Sequence, residues 1–103
     1  MMLPLNTEQT KLLFDALLSL KDAEECGKFL EDLCTIKELE DMAQRLSVAV
    51  GLLDGNTFVE IGKKTGASSA TISRVNKCIM YGSGGYREVI AKLRPADKTE
   101  TEG

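Results

Sequence analysis

The hydrophobic positions repeat with the period of an α-helix along almost the whole chain. Leu13, Ala16, Leu17 and Leu20, for example, follow the i, i+3, i+4, i+7 spacing that places side chains on one helix face. No stretch of the sequence alternates with the period of two that a half-buried strand requires. The pattern therefore predicts an all-α protein of about six helices with short connections.

Polar residues mark the predicted helix starts. A capping box pairs a small polar cap with a Glu or Gln three residues later, and the two close the first turn by reciprocal hydrogen bonds. The pair Thr35 and Glu38 opens the longest predicted helix, over about 37–53, and Gly55 is suited to end it. The other predicted pairs are Asn6 with Gln9, Asp22 with Glu25, and Thr57 with Glu60.

The first and third predicted helices are apolar around more of their circumference than a surface helix needs. Leu12, Phe14 and Leu18 lie off the main stripe of the first, and Val48 and Leu52 off that of the third. Several short helices cannot easily cover both surfaces in one small chain. We therefore expect an intertwined homodimer, the alternative being a compact monomeric bundle.

A single helical domain is expected over residues 1–95. The polar residues 96–103 are expected to form a disordered tail.

Residues 57–80 have the pattern of a helix-turn-helix. Ile61 anchors the first helix, and Gly66 suits the left-handed conformation of the tight turn. Gly62 has no side chain, so we expect the second helix to cross close against it. The alternative is an unrelated pair of antiparallel helices.

The second helix of this motif is suited to lie in the major groove of DNA. Ser68 caps it, while Ile72 and Val75 hold it on the core. Its small, uncharged exposed positions offer no bidentate pair to a base, so specificity would depend on water, shape and methyl contacts. The basic side chains would meet phosphates, although each lysine taken alone also fits an ordinary solvated charge. The residues predicted to contact double-stranded DNA are Lys63, Lys64, Ser68, Ser69, Ala70, Thr71, Ser73, Arg74 and Lys77.

Charge is distributed unevenly along the chain. Residues 1–56 hold five Lys/Arg and eleven Asp/Glu, whereas residues 57–98 hold eight and three, within a net charge of −3. This asymmetry favours a polyanionic partner for the basic part alone. Chance clustering on solvated faces is the alternative.

Composition excludes several classes of site. The chain has no histidine, which excludes Ser-His-Asp and Cys-His catalysis and His-ligated metals. Cys26, Cys34 and Cys78 form no C-x-x-C pair, so neither a disulfide framework nor a zinc site is predicted, and a reducing cytoplasm is expected. Cys78 is expected to be a packed thiol, with a redox sensor as the alternative. We expect no enzymatic activity, cofactor or metal.

No segment predicts export or a membrane partner. The first ten residues lack the pattern of a signal peptide. The longest mostly apolar stretch, residues 46–53, is too short to span a bilayer.

The sequence resembles the Trp repressor superfamily, most closely its YerC/YecD branch. The resemblance covers residues 33–86 and is carried by LCTIKELEDMAQR (33–45), LLDG (52–55), the helix-turn-helix ending ATISR (70–74), and YGSGG (81–85). It implies an intertwined all-α homodimer with one helix-turn-helix in each protomer. The implied function is regulation of transcription, as a repressor at a palindromic operator. The alternative is a helical protein-interaction module that keeps the fold without specific DNA binding.

The resemblance also implies a pocket for a small effector that bears a carboxylate. The residues carried over are Thr35, Arg45, Thr71 and Arg74, and an arginine fork suits a carboxylate. A structural salt bridge remains the alternative for Arg45, and a phosphate contact the alternative for Arg74.

Tryptophan itself is not expected to be a strong effector. The tryptophan-binding repressor has a glycine that makes room for the indole where this chain has Val75. A serine that helps hold the amino group is replaced by Cys78, a poor hydrogen-bonding substitute.

Overall fold

The computed structural model describes residues 7–94, which form six α-helices and no strand. This confirms the all-α prediction. No helix in this range is both long and apolar enough to cross a membrane. The predicted tail, 96–103, lies outside the described residues. The helices are α1 (Glu8–Leu18), α2 (Ala23–Leu33), α3 (Ile36–Leu53), α4 (Phe58–Thr65), α5 (Ser69–Tyr81) and α6 (Gly85–Leu93).

The helix starts follow the predicted caps with one exception. The Asp22 carboxylate accepts a hydrogen bond from the Glu25 amide at 2.9 Å and begins α2. The α1 cap is Thr7, whose hydroxyl accepts from the Thr10 amide at 3.0 Å. The predicted cap, Asn6, lies outside the described residues. Each cap satisfies a backbone N–H that has no partner within its helix.

The chain divides into two compact units, 1–40 and 41–103, and the boundary falls within α3. In the described part of the first unit, no residue is buried, and large apolar side chains such as Leu12 and Leu18 are 70% and 83% exposed. The second unit contains the hydrophobic core.

The core lies where α3, α4, α5 and α6 meet. Val48 and Ala49 of α3 are fully buried, and Ile61 of α4 is buried with them. Burying one such aliphatic side chain contributes about 1.5–3 kcal/mol. The helix-turn-helix therefore folds on α3 rather than by itself. The buried apolar residues are Val48, Ala49, Ile61, Ala67, Ile72, Val75, Ile79 and Ile90.

Gly51 of α3 lies close against Ile61 of α4. A Cβ atom added there would lie 2.9 Å from Cγ1 of Ile61, closer than a methyl group tolerates. At Gly62, by contrast, an added Cβ would lie 3.6 Å from the Ala67 carbonyl oxygen, an ordinary contact. The added atom would also lie 3.9 Å from Cδ1 of Ile72, so α5 does pack over Gly62 as expected, but with room for a methyl group.

We expect Gly51→Ala to lower the free energy of unfolding by about 1–3 kcal/mol, because the buried Ile61 must move to admit the methyl group. The matched control is Gly62→Ala, which should be neutral or stabilising by up to about 1 kcal/mol since alanine is the better helix former. Urea denaturation of the three proteins measures both effects. Equal destabilisation by the two substitutions would contradict this assignment.

Candidate nucleic-acid interface

The turn between α4 and α5 has the conformation that a helix-turn-helix requires. Gly66 has φ +77° and donates its N–H to the Gly62 carbonyl at 2.9 Å. Thr65 supports the turn on both sides: its hydroxyl donates to the Ile61 carbonyl at 2.7 Å and accepts from the Ala67 amide at 3.1 Å. The role of Gly66 was predicted from the sequence and that of Thr65 was missed, although a threonine directly before a turn glycine was a visible signal.

A complete capping box fixes the start of α4. The Thr57 hydroxyl accepts from the Glu60 amide at 3.1 Å, and the Glu60 carboxylate accepts from the Thr57 amide at 2.7 Å. The hydrogen bond from the Thr57 backbone lowers the pKa of the Glu60 carboxyl below its usual value, and the Thr57 and Asn56 side chains add to this effect. The first helix of the motif thus starts at a defined residue.

The second helix of the motif, α5, begins at a serine cap as predicted. The Ser68 hydroxyl accepts from the Thr71 amide at 3.1 Å. Its own proton is donated to the Thr71 hydroxyl oxygen at 3.1 Å. Because the Ser68 hydroxyl accepts from only one backbone N–H of the first turn, α5 presents short side chains and further N–H groups at this end.

The two faces of α5 differ sharply. Ile72, Val75 and Ile79 are at most 8% exposed and belong to the core. The opposite face spans about 140° of the helix circumference at 3.6 residues per turn. Its exposed members are Ser69, Ala70, Ser73, Arg74, Lys77, Met80 and Tyr81.

The structure brings the predicted DNA-contacting residues of α5 together on this face, while Thr71 is half-buried at its edge. Lys63 and Lys64 are exposed in the last turn of α4. Tyr81 was missed: it is 81% exposed and lies one turn after Lys77 on the same face. The spacing of four residues between Lys77 and Tyr81 already placed both side chains on one helix face.

Arg45 and Arg74, the predicted effector-binding arginines, are both exposed. Within residues 7–94 neither side chain makes a hydrogen bond or an ion pair, so the salt bridge considered for Arg45 is not found there. The Thr71 hydroxyl contacts Ser68, and the Thr35 hydroxyl accepts from the Glu38 amide at 3.0 Å in the first unit.

Val75 and Cys78 both bear on the effector: Val75 lies in the core as predicted, whereas Cys78 differs from expectation. Val75 is 1% exposed in the core, so in the single chain its side chain fills the interior instead of lining an open space beside Arg74. Cys78 is exposed, and the expectation of a packed thiol was wrong. Neighbouring helical positions point in different directions, and the apolar stripe of α5 runs through position 75 and not 78.

A cavity of about 480 Å³ lies between α3 and α4. It contains neither predicted effector arginine, and Lys64 borders it. Gln44 of α3 also borders it and donates from its amide nitrogen to the Thr65 carbonyl at 3.2 Å. Among the described residues, no group of three or more Cys, Asp or Glu side chains has an arrangement that would hold a metal ion.

The Trp repressor protein family matches residues 8–94, nearly all of the described chain. This chain belongs to the Trp repressor family. YerC, an uncharacterized protein of Bacillus subtilis (strain 168), is 51% identical over 90 residues, which are 87% of this chain and 84% of YerC. These findings confirm the resemblance drawn from the motifs at 33–86.

Two solved structures share the fold of this Trp repressor family member. A TrpR-like protein from Eubacterium eligens has a TM-score of 0.85 and 47% identity, with 88% of this chain and 94% of that chain covered. A Staphylococcus aureus protein described as a candidate Trp repressor has a TM-score of 0.85 and 39% identity, with coverage of 87% and 90%. The six-helix architecture is therefore that of TrpR-like proteins.

The capping box makes a pH-dependent contribution to the stability of α4. Since its hydrogen bonds lower the pKa of Glu60, the stabilisation is present above the unfolded glutamate pKa of about 4.3 and is lost as the pH falls through the folded value. We expect the melting temperature of Glu60→Gln to lie below that of wild type at pH 7 and to converge with it towards pH 3. Thermal melts across this range measure the difference.

The control is the same substitution in a Thr57→Ala background. The pH-dependent difference should shrink there, because the Thr57 hydroxyl is gone, but should not vanish, because the Thr57 amide still donates. A difference that does not change between pH 7 and pH 3 would contradict the capping role.

Proposed function

We propose that this protein is a sequence-specific, DNA-binding repressor of transcription. The observation that carries the proposal is the exposed face of α5, where short polar side chains at the capped end are followed by Arg74 and Lys77. Membership of the Trp repressor family supports a helix-turn-helix regulator.

The dimensions of α5 suit the major groove. Its 13 residues give a length of about 20 Å at 1.5 Å per residue, and a helix of this kind fits a groove about 12 Å wide. Ser69, Ala70 and Ser73 are short enough for the backbone of α5 to approach the bases. Arg74 and Lys77 then lie farther along the helix, where they are placed to meet phosphates.

We propose that the functional unit is a homodimer. In the single chain α1 has no buried residue, and Leu12, Leu17 and Leu18 are 70%, 40% and 83% exposed. Ile36 and Leu46 of α3 are also exposed, at 77% and 38%. So many exposed large apolar side chains are unusual in a monomer, and a second copy would cover them. A two-fold dimer would select a palindromic operator.

A small carboxylate-bearing effector is proposed to act through Arg45 and Arg74, with Thr35 and Thr71 as further contacts. The exposed guanidinium groups support this role. Tryptophan is not proposed as a strong effector, because Cys78 is a poor hydrogen-bonding group and Val75 occupies the core side of α5.

A protein-interaction module is the second candidate. The net charge of −3 and the exposed Phe58 and Val59 on α4, at 41% and 67%, favour a protein surface over a polyanion. Salt dependence separates the two, since DNA affinity falls steeply with salt when several phosphates are contacted.

Arg74→Ala and Lys77→Ala should each weaken DNA binding by roughly tenfold at low salt and reduce the slope of log affinity against log salt by about 1. Lys28→Ala is the matched control: Lys28 lies on α2 and is exposed, with only a surface ion pair to Glu24 at 3.7 Å. Fluorescence anisotropy with a labelled duplex measures the affinities. Wild-type binding by both folded variants would refute the phosphate contacts.

The protein should have twice the mass of one chain in light scattering at micromolar concentration.

DNA selected by it from a random pool should contain palindromic sites with half-site centres about 34–36 Å apart. The selection is run with and without free amino acids, tryptophan included, to detect an effector. A stable folded monomer, or selected sites that are single and asymmetric, would contradict the symmetric dimer.

A further inference from the structure

We infer that Gln44 is a positioning residue that holds the helix-turn-helix in its DNA-binding orientation by hydrogen-bonding the end of α4. This inference rests on the proposed DNA-binding function. Its structural basis is the bond from the Gln44 amide nitrogen to the Thr65 carbonyl oxygen, 3.2 Å long and partly buried, which links residues 21 positions apart.

The Thr65 carbonyl needs an external donor. It belongs to the last turn of α4, where carbonyl groups have no hydrogen-bonding partner within the helix. The turn closes instead between the Gly66 amide and the Gly62 carbonyl at 2.9 Å. The Gln44 side chain supplies this donor. The end of α4 is therefore held to α3 by a hydrogen bond as well as by apolar packing.

Thr65 is also the residue on which the turn is built. Its hydroxyl bonds the Ile61 carbonyl at 2.7 Å and the Ala67 amide at 3.1 Å. Ala67 is buried at 8% exposure and directly precedes Ser68, the cap of α5. Displacement of the Thr65 backbone would therefore pass through Ala67 into the start of α5, the end proposed to meet the bases.

Two contacts on one face of α3 hold α4. Gln44 and Gly51 are seven residues apart, which is about two helical turns and so the same face. Gly51 packs against Ile61. The Gln44 amide donates to the carbonyl of Thr65, which lies one turn farther along α4. The Gly51 contact is apolar packing, which is non-directional, whereas a hydrogen bond is directional. Gln44 therefore sets the angle of α4 about the Gly51 contact.

The test compares three substitutions at Gln44 with a matched control. Gln44→Met keeps the length and removes the donor, Gln44→Glu places a carboxylate against the Thr65 carbonyl, and Gln44→Lys retains a donor. The control, Gln9→Met, makes the same chemical change at an exposed position of α1.

The first measurement is amide hydrogen exchange at Gly66 and Ala67, which needs no DNA. Loss of one hydrogen bond should accelerate exchange by about three- to tenfold in Gln44→Met and more in Gln44→Glu. Gln44→Lys and Gln9→Met should stay near the wild-type rate. Acceleration by the same factor throughout the core, Ile72 and Ile79 included, would indicate a general loss of stability and would overturn the positioning role.

The second measurement is the affinity for the selected operator and for unrelated duplex DNA. Gln44→Met should lower operator affinity by about three- to tenfold and leave nonspecific binding unchanged, because phosphate contacts tolerate a tilted helix better than base contacts do. Wild-type exchange rates together with wild-type operator affinity in Gln44→Met would overturn the inference. Absence of any DNA binding by the wild-type protein would refute the proposed function instead, and the exchange rates would still decide whether Gln44 holds the turn.

Discussion

The packing of Ile61 against Gly51 joins the helix-turn-helix to α3 in the hydrophobic core. A glycine on α3 lets a buried side chain of α4 approach so closely that a Cβ would collide with it at 2.9 Å. Val48 and Ala49, both fully buried on α3, continue the same core. Ile72, Val75 and Ile79 of α5 belong to the same core, which therefore turns the opposite face of α5 outward.

The charge of the chain changes sign close to the start of the helix-turn-helix. The first 56 residues carry the acidic excess, and the basic excess begins with α4. A polyanion would be repelled by the former and attracted by the latter, so the proposed partner meets the helix-turn-helix first. The short side chains of Ser69 and Ala70 then favour readout through DNA shape and bound water over direct hydrogen bonds to bases.

Several differences from expectation have one cause, namely that helical spacing identifies a face but not the element that covers it. Cys78 is exposed, whereas Val75 in the same helix lies in the core, as its spacing predicted. In α1 the local signals suffice to start a helix at Thr7, yet no residue of that helix is buried within the single chain. Local propensity forms a helix, whereas burial needs a surface supplied by other residues.

By itself, the sequence determined the features that depend on residues three or four positions apart. These include the capping box at Thr57, the left-handed turn at Gly66 and the cap at Ser68, because each is closed by short-range hydrogen bonds whose donors and acceptors are visible in the chain. Only the tertiary structure decided that Gly51 is the point of close approach and that Gln44 bonds the end of α4. Those contacts join residues 10 and 21 positions apart, and their partners are selected by how the helices pack, which no local pattern encodes.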